Sequence, residues 1–167
     1  MTIEMKDASL ALEGKGLFHN LSFVVNGGEM LCVMGESGCG KTTLLQCILG
    51  FQPLDEGAVS IGGTELTALS AEYMRSMMAY IPQEVSLPCN TVAELVGLPY
   101  QLRVNRNKRF SKEALMEEWQ RLRLDETLYA KRLADVSGGE RQRIMLSMAG
   151  LLDKKMFLDK MDVDKYV

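Results

Sequence analysis

The sequence predicts an α/β fold, and three observations carry that expectation. Short apolar runs of strand length, MLCVM at 30–34, AYIPQ at 79–83 and KKMFLD at 154–159, alternate with segments of helical periodicity. A glycine-rich turn joins the first run to a helix whose Leu44, Leu45, Ile48 and Leu49 share one face. Hydrophobic residues make up 47% and charged residues 25% of the 167, the balance of a globular domain long enough to bury a core.

The elements follow in order. Leu21, Phe23 and Val25 alternate with outward positions, so 21–25 is a strand, and Gly27 and Gly28 make the next turn. MLCVM has no polar position and predicts a buried strand. The helix after it closes at Gly50, which accepts the left-handed conformation of a helix end. AVSIGG, 58–63, predicts a strand and turn; 70–78 a short helix; 79–83 another buried strand. Residues 88–136 change texture and predict a helical insert. There Thr91 and Glu94 have capping-box spacing, and Ser111 caps a helix with Leu115, Trp119 and Leu122 on one face. The basic stretch NRNKRFSK, 105–112, between them reads as a solvated surface loop. VSGGE opens a helix over 140–152, and KKMFLD is the final strand. The expected organisation is one domain, 1–167, in three parts: 1–87, a β part with the glycine-rich core; 88–136, helical; and 137–167, helix and final strand.

Composition narrows the function. A net charge of −3 points to no nucleic-acid or anionic-lipid partner. No apolar run approaches the roughly 20 residues that span a bilayer, and the acid-containing N-terminus lacks the pattern of a signal peptide. The expected compartment is the cytoplasm, with any work at a membrane done through a partner chain. Cys32, Cys39, Cys47 and Cys89 form no CxxC pair, and His19 is the one histidine, so reduced thiols are expected rather than zinc. The 12 methionines suit irregular core gaps.

Two motifs carry chemistry. GESGCGKT, Gly35, Glu36, Ser37, Gly38, Cys39, Gly40, Lys41 and Thr42, matches GxxxxGK[ST] and is followed by Thr43. Its glycines let successive N–H groups face inward around phosphate oxygens, and the helix that follows points its positive end at the same place. Lys41 adds a point charge, and the Thr42 hydroxyl suits Mg2+. VSGGERQR, 136–143, is a second glycine-rich helix start. With this pair in this order the chain resembles the ATP-binding cassette family, the nucleotide-binding domains of ABC transporters. Ser137, Gly138, Gly139 and Glu140 stand where the family signature has Ser-Gly-Gly-Gln, with Val136 for its Leu, and Arg141, Gln142 and Arg143 fit its pattern. The GESGCGKTTLL and LPYQLR stretches are similar to small bacterial members such as the ATPase partners of iron exporters.

The resemblance implies a P-loop NTPase (RecA-like) core with an N-terminal antiparallel β part and a helical insert, lacking the family's C-terminal strands. It implies ATP and Mg2+ as ligands, with residues 35–43 on the phosphates and Thr42, Gln83 and Asp159 at the metal. Gln83 also corresponds to the family glutamine that reaches the attacking water. A second copy or homologous subunit supplies Ser137 to Glu140 in trans, and a transmembrane permease subunit is the partner at the inner face of the membrane.

The chain also departs from the family. Lys160 occupies the position of the catalytic glutamate, and a lysine is no base at neutral pH unless its pKa falls several units. MDVD replaces the pattern SALD, so Asp162 and Asp164 read as solvated charges, and no histidine follows the final strand. The aromatic that stacks on adenine is missing; Phe18 comes too late, and Leu10, nearer the expected place, offers an apolar contact. In the family a histidine-bearing strand separates the strands that carry the P-loop and Asp159, so the sheet is expected to lack its middle. Two alternatives to a transporter ATPase follow: a truncated nucleotide-binding module with little or no ATPase activity, and a soluble non-transport ATPase of the same type.

Overall fold

Strands β1 (Ile3–Leu12) and β2 (Lys15–Val25) form an antiparallel hairpin around the turn Glu13-Gly14, both residues of which have positive φ. The computed structural model to which they belong describes residues 1–81, 88–154 and, as backbone, 156–159. Its described residues fall into two compact units, Met1–Met78 and a second that starts at Ala79.

In the first unit, β3 (Glu56–Ile61) pairs antiparallel with β1, and β4 (Thr64–Glu65) with β3, giving the order β2-β1-β3-β4. Ile3, Met5, Ala8 and Leu10 of β1 are buried with Val59 and Ile61 of β3. The alternation skips a step between Met5 and Ala8 because β1 is bulged there, with Asp7 at φ 49°. The Ser22 hydroxyl holds that bulge: it accepts from Asp7 N–H (2.8 Å) and donates to Asp7 Oδ1 (3.1 Å). Helix α1 (Lys41–Ile48) buries Leu44, Cys47 and Ile48. It ends in a Schellman pair, Phe51 N–H to Gln46 C=O and Gly50 N–H to Cys47 C=O, with Gly50 at φ +70°. Helix α2 (Ala71–Met77) sends Arg75 back to the Leu49 carbonyl at 3.1 Å.

One sequence expectation fails here. Residues 30–34 form no strand, and Met30 and Met34 are 95% and 70% exposed. A strand exists only where a neighbour takes its N–H and C=O groups, and no ladder of described residues includes this stretch. Hydropathy made it strand-like but could not provide the neighbour.

The second unit holds β5 (Met78–Ile81) from Ala79 onward beside β6 (Met156–Asp159), and helices α3 (Val92–Gly97), α4 (Lys112–Arg121) and α5 (Gly138–Leu151). Its core gathers Val92, Leu95, Val96, Leu115, Trp119 and Ile144. The Trp119 indole N–H donates to the buried Ser147 hydroxyl at 3.0 Å, which donates to the Ile144 carbonyl, so α4 is pinned to α5. Both expected caps form: Thr91 and Glu94 make a capping box on α3, and Ser111 accepts from Ala114 N–H on α4. The basic stretch is put to structural use. Lys108 donates to the Leu152 carbonyl at the end of α5, and Lys112 lies over the Tyr129 ring at 4.5 Å. No helix among the described residues is long and apolar enough to cross a membrane.

Candidate functional site

The loop from Gly35 to Gly40 leads directly into α1. Gly38 and Gly40 have φ of +81° and +102°, and Gly40 is the N-cap in the left-handed region that only glycine enters without strain. No side chain caps the helix and no acid stands in its first turn. The N–H groups of that turn, with the positive end of the helix dipole, are therefore left facing the loop. Lys41 folds back over it, Nζ donating to the carbonyls of Gly35 (2.5 Å) and Glu36 (2.8 Å) and lying 3.9 Å from Cys39 Sγ. Residues 35–39 are exposed, while Gly40, Lys41, Thr42 and Thr43 are half-buried. The arrangement can take an anion: the charge of Lys41 is held by two carbonyls that a phosphate oxygen can outbid. Cys47, six residues after Lys41 in α1, is buried, and burial pushes its thiol up to about 11.

The second helix start is finished differently. Ser137 and Glu140 form a complete capping box on α5. Glu140 Oε2 accepts from Ser137 N–H (2.9 Å) and Oγ (2.6 Å), and Ser137 Oγ accepts from Glu140 N–H (3.2 Å). The Ser137 hydroxyl, then its backbone N–H, hold the Glu140 carboxyl below its ordinary range. A side chain at Gly138 or Gly139 would meet nothing, so the surface above this end is open. Arg141 braces the helix start by donating to the Leu133 carbonyl at 2.6 Å, with its Nε buried and unpartnered among the described residues.

The remaining expected site residues are placed less fully. Asp159 is the last residue of β6, as its apolar run predicts. Gln83, beyond the end of β5, and Lys160 lie outside the described residues. Leu10 is corrected: it is 2% exposed, packed inside the β sheet, and offers no surface to a base. Leu17 stands beside the loop instead. A Cβ on Gly40 would meet Leu17 Cβ at 3.3 Å and both Cδ atoms at 3.7 Å. No sequence pattern singles out Leu17, because its position depends on an irregularity in β2.

A glycine loop opening onto an uncapped helix, set in an α/β fold, defines a phosphate-binding protein of the P-loop class. The sequence profile of the ABC transporter family matches residues 18–159, and the chain belongs to that family. It is 30% identical over 156 residues to the spermidine/putrescine import ATP-binding protein PotA of Pasteurella multocida strain Pm70, covering 93% of this chain and 41% of that protein. It is also 30% identical over 130 residues to the probable iron export ATP-binding protein FetA of Escherichia coli K12, covering 78% of this chain and 56% of that one. The chain thus spans less than half the length of the import proteins it matches. Two solved structures share its fold. A bacterial Atm1-family ABC exporter with ATP bound superposes with a TM-score of 0.78 at 18% identity, covering 98% of this chain and 30% of that one. CbiO1 of Clostridium perfringens, part of the ABC transporter complex cbiONQ, gives 0.77 at 15%, covering 96% and 65%.

Proposed function

We propose that the chain is the ATP-binding subunit of an ABC transporter, coupling ATP binding and hydrolysis to transport through a transmembrane permease partner. The observation that carries this reading is the first turn of α1, which has neither a side-chain cap nor an acid and is preceded by GESGCGKT. In this reading residues 35–43 hold the triphosphate. Backbone N–H groups take its oxygens, and Lys41 exchanges the carbonyls of Gly35 and Glu36 for phosphate. The Thr42 hydroxyl, Gln83 and Asp159 would hold Mg2+, which when bound neutralises phosphate charge. A second copy or homologous subunit presents Ser137, Gly138, Gly139 and Glu140 to the γ-phosphate. The protein then works as a peripheral subunit on the cytoplasmic face of the membrane, with no nucleic-acid partner. ATP titration of the parent and of Lys41→Ala tests the site. The substitution weakens binding about ten- to a hundredfold, the worth of a charge-assisted contact. Equal affinity in both would sink it.

A second reading is favoured by Lys160, which stands where the family has its catalytic glutamate. An ammonium group cannot take a proton from water at neutral pH, so the chain holds ATP and turns it over poorly. Lys160→Glu should then raise Mg2+-dependent phosphate release above that of the parent. Brisk turnover by the parent would remove this reading and leave the first intact.

A further inference from the structure

We propose that the basic segment between α3 and α4 is a contact surface for anionic phospholipid headgroups, so that the chain touches the membrane directly as well as through a partner. The surface is separate from the phosphate loop and goes beyond the nucleotide reading. Between Glu94 and Glu113 the sequence has no acid, while Arg103, Arg106, Lys108, Arg109 and Lys112 all fall there. The net charge of −3 averages this segment away. Lys108 and Lys112 are used internally, on the Leu152 carbonyl and over the Tyr129 ring. Arg103, Arg106 and Arg109 are exposed, and none of their guanidinium groups has a hydrogen bond or ion pair among the described residues. Elsewhere in the same unit Arg121 pairs with Glu118 at 3.1 Å and Arg132 with Asp135 at 3.2 Å.

Exposed arginines alone describe any solvated face. This segment also sets apolar side chains among them: Leu102 and Val104, on either side of Arg103, are 52% and 57% exposed. The backbone that presents them is held in shape. It makes short 3-10 turns at Leu98–Gln101 and Arg103–Asn105. The buried Asn105 amide donates to the Pro99 carbonyl at 2.9 Å, and Tyr100 meets Phe110 edge to face at 5.5 Å. The cost of ordering the segment is therefore met before any contact is made. Guanidinium groups interleaved with aliphatic side chains match an anionic bilayer surface, where headgroups take the charge and the acyl boundary takes the apolar groups. A nucleic acid matches less well. A base needs an open ring to stack on, and Tyr100 and Phe110 are half-buried against each other.

The experiment is co-sedimentation of the full chain, without nucleotide, with neutral phosphatidylcholine vesicles and with phosphatidylglycerol-rich vesicles at low and high salt. The parent should bind the anionic vesicles about a hundredfold more tightly than the neutral ones, and high salt should release it. The triple variant Arg103→Gln, Arg106→Gln, Arg109→Gln should lose about a hundredfold on anionic vesicles, about fivefold per arginine. The double variant Leu102→Ser, Val104→Ser should lose about three- to tenfold with its charge intact. Equal binding of the parent to both vesicle types, or binding to neither, overturns the proposal, and this comparison needs no variant to fold. An affinity unchanged in either variant overturns it as well. If only the arginines matter and duplex DNA binds as tightly as the vesicles, the surface is one for nucleic acid and the lipid assignment is wrong. Lys41→Ala should bind vesicles as the parent does, so a failure here is distinct from a failure of the nucleotide site.

Discussion

Helices α1 and α5 both begin on glycine-rich sequence, and the chain finishes the two starts in opposite ways. The start of α1 has Gly40 as its N-cap, no side-chain cap and no acid in the first turn. The start of α5 has Ser137 and Glu140 locked in a reciprocal pair. One end leaves its N–H groups and its positive pole for something external; the other brings its own carboxylate. The difference separates two uses of one backbone feature. An open end loses some helix stability and gains an anion site, whereas a capped end is stable alone and admits a phosphate only by competing with Glu140.

Four measurements would break or sharpen that contrast. Gly40→Val has the largest expected effect. It puts a β-branched residue at φ +102° against Leu17 and should cost about 3 kcal/mol in urea denaturation, with nucleotide binding lost. Next comes ligand stabilisation. Tripolyphosphate at about a hundred times its Kd should add about 2.7 kcal/mol to the parent, and Lys41→Ala should lose most of that gain at the same concentration. If the gain survived Lys41→Ala but vanished in Ser137→Ala, the assignment of the open and closed ends would be reversed. Ser137→Ala should then cost about 1 kcal/mol of stability through the lost cap, with tripolyphosphate affinity at α1 unchanged.

The smallest effect is on pH dependence. Glu140 has a folded pKa depressed from 4.5, so its contribution is present above that value and is lost as pH falls below it through the folded pKa. Melting followed downward from neutral pH should show a smaller acid loss in Glu140→Gln than in the parent. An unchanged acid limb would mean that the carboxylate does not hold the helix in solution.

Local chemistry was legible in the sequence. The caps at Thr91 and Ser111, the loop 35–43, the closure at Gly50 and the strand ending at Asp159 all lie where pattern and spacing put them, whereas the capping box of Ser137 and Glu140 was not foreseen. Each cap, loop or turn is made by groups within about six residues of one another, so the side chains that decide it are adjacent in the chain. The helical insert was legible for a related reason: Leu115 and Trp119 recur at the helical period, and their apolar face is buried.

What tertiary structure alone decided depends on residues far apart in the chain. Residues 30–34 are as apolar as any buried strand, yet strand formation needs a neighbour that hydropathy does not specify. Leu10 and Leu17 look alike in sequence. Leu10 is paired in β1 and lies in the sheet core, whereas the irregularity of β2 at Leu17 itself sets that residue beside the phosphate loop. Trp119 finds Ser147, and Lys108 the end of α5, only once the helices have packed. The sequence by itself determined the phosphate loop and its family, since that chemistry is written in contiguous residues. Only the folded chain determined which helix end stays open and which side chain borders it, since both depend on contacts that exist only after distant segments meet.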